Sequence, residues 1–146
     1  IDFDRDSLRD ALSRSGFRGG ARSLFLLEGV LMYLQPESVD VTLRTIQALA
    51  GEGSLVLFDY VRSSVLHGEE AAYGDQDAIR TVRSADEAWQ FGLGEEDIGA
   101  FLAQYDLRLV EHLTAADLER RYFTDEEGRR VGRMNGTHGI VLAVTT

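Results

Sequence analysis

Two short apolar runs, at 23–27 and 54–58, flank a segment with helical periodicity, and this order constrains the fold more than any other feature. Each run is bounded by turn or polar residues, which is typical of strands that helices cover on both faces. Between them, Pro36 suits the first turn of a helix, and apolar residues recur at the helical period to about Ala50. A strand, a helix and a strand joined by short links predict an α/β fold with a parallel sheet.

The remaining segments extend this pattern, and we interpret the chain as one domain, 1–146. A first helix is predicted with Asp4 or Asp6 as its cap. The last two strands are joined by a connection of moderate length and end the chain, which suits an antiparallel hairpin at a sheet edge. The predicted segments are helices at 5–15, 95–105 and 115–123, strands at 107–113 and 139–144, and a polar loop at 124–137.

Residues 61–94 interrupt the regular alternation of helices and strands. They are rich in Gly, Ala and charged residues, and helical patterns are weak there, around 67–73 and 83–90. We interpret this stretch as an insertion that forms a lid over the sheet, because loops on a rigid sheet commonly carry specificity.

The composition excludes several classes of chemistry. All 15 basic residues are arginine, cysteine is absent, and 25 acidic residues give a formal net charge of −10. The chain therefore has no thiolate zinc site and no lysine for a Schiff base. Its negative charge argues against nucleic acid binding, and no apolar run reaches the ~20 residues of a membrane span. Because the N-terminus shows neither a signal nor a transit pattern, we predict a cytoplasmic protein.

Acidic residues stand where predicted strands end. Glu28 and Asp59 follow the two apolar runs, and Asp2 lies in what could be the tail of an earlier strand. In open α/β sheets, ligands bind outside the carboxyl ends of the strands, so these carboxylates suit a ligand with ammonium, sulfonium or ribose hydroxyl groups. The alternative interpretation is that each acid caps the helix that follows it, where the helix dipole favours negative charge.

The other candidate groups have structural interpretations. The three histidines lack the spacing of a metal site, and no serine lies in a nucleophile elbow. The loop arginines at 129, 130 and 133 indicate either a solvated loop or a segment that captures an anionic group. Trp89 and Phe91 either pack a lid segment onto the body of the protein or cover a ligand.

The sequence Phe-Leu-Leu-Glu-Gly-Val-Leu-Met-Tyr-Leu at 25–34 resembles the leucine carboxyl methyltransferase family, whose bacterial members are similar in this block. Shorter matches occur in the same order at 1–3, 53–60 and 91–93 and in the final strand. The resemblance implies a class I methyltransferase fold. This is a Rossmann-like α/β sheet with helices on both faces and an antiparallel C-terminal hairpin, and the chain would represent its later strands.

The resemblance also implies roles for individual residues. Asp2 and Phe3 match the pair that holds the adenine end of S-adenosyl-L-methionine (SAM), and Glu28 matches the acid near its methionine end. Tyr33 is a candidate for lining the transfer site. Asp59 and Tyr60, at the end of the next strand, are further candidates for the substrate site. No metal is implied.

The function that the resemblance implies is SAM-dependent transfer of a methyl group to the oxygen of a carboxylate or a hydroxyl. The substrate would be a small molecule or a carboxylate-bearing partner, and neither nucleic acid nor a membrane is expected. The family's glycine-rich cofactor loop is not in this sequence, so we expect the chain alone to be inactive. Two alternatives stay open, namely another adenine-nucleotide-binding α/β protein and a non-catalytic interaction domain.

Overall fold

The computed structural model describes residues 1–3, 5–68, 73–74 and 88–146. It contains five α-helices and four strands in these ranges, and two short 3₁₀ turns at Leu31–Tyr33 and Glu95–Asp97. In chain order the elements are α1 (Leu8–Arg14), β1 (Leu24–Leu27), α2 (Pro36–Leu49), β2 (Leu55–Val61), α3 (Ser63–His67), α4 (Ile98–Ala103), β3 (Leu107–Leu113), α5 (Ala115–Tyr122) and β4 (His138–Thr145).

The four strands form one sheet in the order β1-β2-β4-β3. β1 and β2 are parallel, as expected for strands joined through the helix α2. β4 runs antiparallel to both of its neighbours, β2 and β3. The predicted α/β sheet with a reversed final strand is therefore confirmed, and this last strand lies between β2 and β3.

The main core lies on one face of the sheet. Helices α2 and α4 cover this face, and alternate residues of β2 and β4 point into it, since successive strand residues face opposite sides. Pro36 begins α2 as predicted, and its buried stripe follows the helical period. The fully buried side chains of this core include Leu43, Ile46, Phe58, Leu102 and Val141.

β1 differs from the strand that the sequence predicts. It pairs only with β2 among the described strands, and it is the edge of the sheet. On the face opposite the core, Leu24 is 65% and Leu26 is 55% exposed. The apolar run of β1 is therefore paired on one side only, and its outer face is open within the described part of the chain.

β2 is longer than predicted. The sequence places Asp59 and Tyr60 after the strand, but both pair with residues of β4, at Ile140 and Gly139. The ladder with the eight-residue β4 extends β2 to Val61. Asp59 and Tyr60 therefore lie within a strand and point to opposite faces of the sheet.

The first helix is shorter than predicted and has a different cap. The Ser7 side chain accepts a hydrogen bond from the Asp10 backbone N–H, which makes Ser7 the N-cap in place of Asp6. The alternative cap, Asp4, lies outside the described residues. Ser7 caps the helix because its short side chain brings the hydroxyl oxygen to the backbone N–H of the third helical residue, Asp10. The Asp6 carboxylate accepts from the Asp2 N–H instead.

The predicted lid falls largely outside the described residues, at 69–72 and 75–87. Its described ends are held to the sheet. α3 follows β2 directly, the Leu93 N–H donates to the Val61 carbonyl, and the Leu93 carbonyl accepts from the Ser63 N–H. Tyr73 accepts a hydrogen bond from the Gly136 N–H at 2.9 Å. The lid itself stays a prediction.

In the described part of the chain, no helix is long and apolar enough to cross a membrane.

Candidate functional site

The carboxyl ends of β1 and β2 bring two of the predicted site residues together. Leu27 and Phe58 are register partners, so Glu28 and Asp59 occupy the next positions on adjacent parallel strands. Both border a cleft of about 390 Å³ on the open face of the sheet. Its lining residues are Leu26, Glu28, Leu57, Phe58, Asp59 and Ile140.

The cleft has an apolar floor and an acidic rim. Leu26 pairs with Leu57, and Ile140 pairs with Asp59, so these four side chains project from the same face. Glu28 is exposed, whereas Asp59 is half-buried. Two carboxylates beside apolar surface attract a ligand that combines a positive charge with an apolar body. Clefts of similar volume occur elsewhere, including one beside α3, but this one contains the predicted acids.

A hydrogen bond joins the two strand ends. The Gly29 backbone N–H donates to Asp59 Oδ1 at 2.7 Å. Gly29 has a φ of 63°, in the left-handed region that favours glycine, and this lets the chain turn sharply away from β1. The Glu28 position is thus fixed by a strand on one side and by this turn on the other.

The turn continues into the 3₁₀ segment that carries Tyr33. Leu31 and Met32 are buried and anchor this segment to the core. The Met32 carbonyl accepts hydrogen bonds from the backbone N–H groups of Gln90 at 2.7 Å and Phe91 at 3.2 Å. Tyr33 is 41% exposed beyond these anchors. It therefore presents a phenol to solvent from a well-supported turn.

Tyr60 does not line the cleft. Its side chain is fully buried on the core face, and its hydroxyl forms a 2.8 Å hydrogen bond with His112 Nε2. Burial raises the pKa of the Tyr60 phenol far above its ordinary value, and the negative charge of Glu95 adds to this effect. In this conformation Tyr60 is a core residue, in contrast to its predicted place at the substrate site.

Asp2 and Phe3 are not among the residues that line the cleft. The Asp2 N–H donates to Asp6 Oδ2 at 2.9 Å, and the Asp2 carboxylate lies 3.6 Å from Arg5 Nε. Asp2 is exposed and Phe3 is half-exposed, in a turn before α1. Their adenine-binding role is not tested by these contacts and stays a prediction.

Two of the three histidines have structural surroundings, and the third, His67, is exposed at the end of α3. His112 is bound to Tyr60, and the rings of His138 and Trp89 pack in a T-shaped arrangement with their centroids 5.6 Å apart. Trp89 joins a small buried cluster with Val61 and other apolar residues, as the packing interpretation predicts. The described residues contain no cluster of three side chains that could bind a metal ion.

The arginine-rich loop is held by one of its own carboxylates and by one from α5. Arg129 forms a 2.8 Å ion pair with Asp125, and Arg130 lies 3.4 Å from Glu119. The Met134 backbone N–H also donates to Glu119 at 2.9 Å, and this bond, with help from Arg130, lowers the pKa of the Glu119 carboxyl below its ordinary value. These pairs favour the interpretation of a solvated loop over one that captures an anion.

Sequence reasoning missed the floor of the cleft and the role of Gly29. The floor residues Leu26, Leu57 and Ile140 share a face because of strand register, and a register is not visible in one sequence. Side chains alternate between the two faces of a strand, so the sequence alone could have placed Leu57 and Asp59 on the same face. The Glu-Gly pair at 28–29 carries a signal for a turn.

Residues 1–47 match the family model described as leucine carboxyl methyltransferase. This range includes α1, β1 and most of α2, together with Asp2, Phe3, Glu28 and Tyr33. The resemblance of the 25–34 block is thereby confirmed. Comparison with the curated proteins gives no match.

Solved structures resemble the chain over nearly its whole length at low identity. A duf574 family protein from Streptomyces avermitilis has a TM-score of 0.64 at 12% identity, covering 99% of this chain and 52% of that one. A Thermobifida fusca protein assigned as a methyltransferase has a TM-score of 0.62 at 15% identity, covering 97% and 52%. A mitomycin 7-O-methyltransferase has a TM-score of 0.53 at 17% identity, and the match covers 94% of this chain and 38% of that one.

The chain thus spans about half, or less, of the length of these relatives. At such identities the likeness shows the fold alone. The chain therefore has the fold of the class I SAM-dependent methyltransferases, and its residues 1–47 match the leucine carboxyl methyltransferase family.

Proposed function

We propose that this chain forms the C-terminal portion of a SAM-dependent O-methyltransferase. The observation that carries the proposal is the position of Glu28. It lies in the segment that matches the family model and also at the carboxyl end of a parallel strand, beside a cleft. Ligands of open α/β sheets bind at this edge. Sequence similarity and geometry therefore point to the same carboxylate.

The cleft suits the positively charged end of SAM. Glu28 and Asp59 supply negative charge at its rim, and Leu26, Leu57 and Ile140 supply apolar surface. SAM carries an ammonium and a sulfonium group, and when bound it supplies an electrophilic methyl group. Glu28 would hold the cationic end, because its carboxylate is exposed and makes no hydrogen bond or ion pair within the described residues.

The remaining roles follow the family resemblance. Asp2 and Phe3 would bind the adenine end of the cofactor, and Tyr33 would line the acceptor side of the transfer site. Tyr33 is suited to this role because its phenol is exposed while its turn is anchored by Leu31 and Met32.

The acceptor is an oxygen atom of a carboxylate or a hydroxyl group. A carboxylate is already ionised at neutral pH, so it needs alignment and exclusion of water but no general base. Among the described residues, no histidine lines the cleft, and this favours a carboxylate acceptor, which needs no general base. The charges of Glu28 and Asp59 repel such an acceptor from the cleft, so it would approach from the Tyr33 side.

A small molecule or a carboxylate-bearing partner is the proposed substrate, with no role for nucleic acid or a membrane. A cytoplasmic location and a bacterial source are further parts of the proposal. We also propose that the chain alone does not bind SAM tightly, because the glycine-rich loop that approaches the methionine carboxylate in this family is not in its sequence. Micromolar binding of SAM to the isolated chain, measured by calorimetry, would overturn this last statement.

The test of function uses the polypeptide that the whole reading frame encodes. It is titrated with SAM by calorimetry, and ATP and NAD are offered as competitors. We expect micromolar binding of SAM, without displacement by the other adenine compounds. Glu28→Gln should weaken binding about tenfold or more, because a charge-assisted contact is lost.

The matched control is Glu52→Gln, which removes the same charge from an exposed turn at the other end of β2. It should leave the affinity for SAM unchanged. Equal binding of ATP, NAD and SAM would instead favour another adenine-nucleotide-binding protein. Absence of binding by the whole polypeptide would refute the enzyme proposal and favour a non-catalytic interaction domain.

A further inference from the structure

We propose that Asp59 is a positioning residue, which sets the direction of Glu28 through the Gly29 peptide group and does not itself bind the ligand. This inference rests on the proposed function of Glu28. It begins from a single contact, in which the Gly29 N–H donates to Asp59 Oδ1 at 2.7 Å across two neighbouring strands.

The contact controls Glu28 because a peptide group is planar. The six atoms from the Glu28 Cα to the Gly29 Cα move as one unit, so an anchor on the Gly29 N–H also restrains the Glu28 Cα. Without this anchor, the backbone after the Leu27–Phe58 pair would have no strand partner before the anchored turn at Leu31, since β2 is the one strand that pairs with β1 in the described part of the chain. The hydrogen bond therefore restrains the one site residue that sits at the free end of an edge strand.

The backbone conformation makes such an anchor necessary. Gly29 adopts a φ of 63°, and glycine is the residue with the greatest freedom to leave that conformation. The anchored 3₁₀ turn begins only two residues later, at Leu31. The Asp59 carboxylate thus fixes the flexible joint between β1 and that turn.

The two carboxylates differ in their contacts. Asp59 is half-buried and satisfies one oxygen with a backbone donor, whereas Glu28 is exposed. A hydrogen bond to a charged acceptor is stronger than one between neutral groups, so the Asp59 carboxylate holds the Gly29 N–H although the bond is open to water. Asp59 consequently stabilises the turn, and Glu28 keeps its charge available for a ligand.

The test compares Asp59→Asn with Asp59→Ala. Asparagine keeps an acceptor oxygen at this position but removes the charge, whereas alanine removes both. Hydrogen exchange of the Gly29 amide, followed by NMR in the 146-residue chain, reports on the anchor without any ligand. Alanine should accelerate this exchange roughly tenfold or more, and asparagine should change it much less, because a bond to a charged acceptor contributes strongly but a neutral acceptor still binds.

The second readout is the affinity for SAM in the polypeptide encoded by the whole reading frame. Asp59→Asn should retain the wild-type affinity within a few-fold, and Asp59→Ala should lose about tenfold. The matched control is Asp40→Ala, which removes a carboxylate from α2 that pairs with Arg44. It should change neither the Gly29 exchange nor the affinity.

Two results would overturn the proposal. One is a Gly29 exchange rate that Asp59→Ala leaves unchanged. The other is an equal loss of affinity in the asparagine and alanine variants, which would show that the Asp59 charge contacts the ligand directly. If the wild-type polypeptide binds no SAM, the proposed function fails, but the exchange measurement still decides whether Asp59 anchors Gly29. Thermal unfolding of each variant separates local loosening from loss of the fold.

Discussion

Gly139→Ala is expected to destabilise the protein through one steric conflict. Gly139 in β4 lies opposite Tyr60 in β2, and a Cβ atom at position 139 would lie 2.6 Å from both Cε1 and the hydroxyl oxygen of Tyr60. No real Cβ contact is that short, so the ring has to move. Tyr60 is fully buried and its hydroxyl is bound to His112, so it has little room to do so.

The size of the effect follows from two contributions. Overpacking of a buried site costs about 1–3 kcal/mol. Loss of the bond between Tyr60 and His112 adds about 0.5–1.5 kcal/mol. We therefore expect the free energy of unfolding to fall by about 1.5–4.5 kcal/mol, and the Tm by roughly 5–15 °C for a chain of this size. Urea unfolding and calorimetry measure these two quantities.

The control is another glycine that the structure predicts to behave oppositely. Gly99 lies in α4, and a Cβ built there meets nothing within 4 Å. Gly99→Ala should therefore stabilise the protein by about 0.5–1 kcal/mol, as expected for alanine in a helix. In a Tyr60→Leu background, Gly139→Ala should cost at least about 1 kcal/mol less than in the wild type, because contacting residues are coupled. Equal costs in both backgrounds would refute the steric explanation.

Three further predictions concern other parts of the fold. Gly51→Ala should reduce stability by about 3 kcal/mol in urea unfolding, because its Cβ would lie 2.3 Å from the Gly20 carbonyl oxygen and a backbone atom cannot turn aside. Glu119→Gln should make the decrease of Tm with falling pH smaller than in the wild type. The pKa of Glu119 is lowered by folding, so its stabilisation is complete above its ordinary value of 4.5 and is lost as the pH falls below it. Leu24→Lys with Leu26→Lys should reduce self-association at high concentration, measured by light scattering, because both side chains are exposed on the edge strand β1.

Each of these predictions has its own control. Gly99→Ala is again the control for Gly51→Ala. Wild-type stability in the Gly51→Ala variant would contradict the packing argument. Glu52→Gln, an exposed acid at a distant turn, should keep the wild-type acid profile; a Glu119 variant with that same profile would count against the linkage. Val41→Lys changes a residue that is 61% exposed on α2 and should leave association unchanged. The double-lysine variant has to differ from it for the edge argument to stand.

Local patterns were sufficient to predict most elements of the fold. The helical stripe after Pro36 predicts α2 almost to the residue, and the apolar runs predict β1 and β2 because each is bounded by turn residues. The final strand is predicted for the same reason. In each case the signal lies in neighbouring residues, which is where propensity and periodicity act.

Long-range pairing decided what the sequence could not predict. The run of β1 looks like a central strand, yet β1 lies at the edge, and nothing within 23–27 encodes which strands lie beside it. β2 extends through Asp59 and Tyr60 because β4 supplies partners for them, 80 residues further along the chain. The Ser7 cap was missed because Asp6 is an equally good capping residue by type, and only the geometry of the first turn distinguishes them.

The register between β2 and β4 links the stability of the core to the geometry of the candidate site. Side chains alternate along β2, so Asp59 faces the cleft only while Tyr60 faces the core. A slip of one residue would exchange their faces, bury an aspartate and remove the acceptor for the Gly29 N–H. Gly139 helps to fix the register, because the Tyr60 ring can approach β4 so closely only where the opposite residue has no side chain. The glycine in β4 and the carboxylate beside Glu28 are therefore two consequences of one strand pairing.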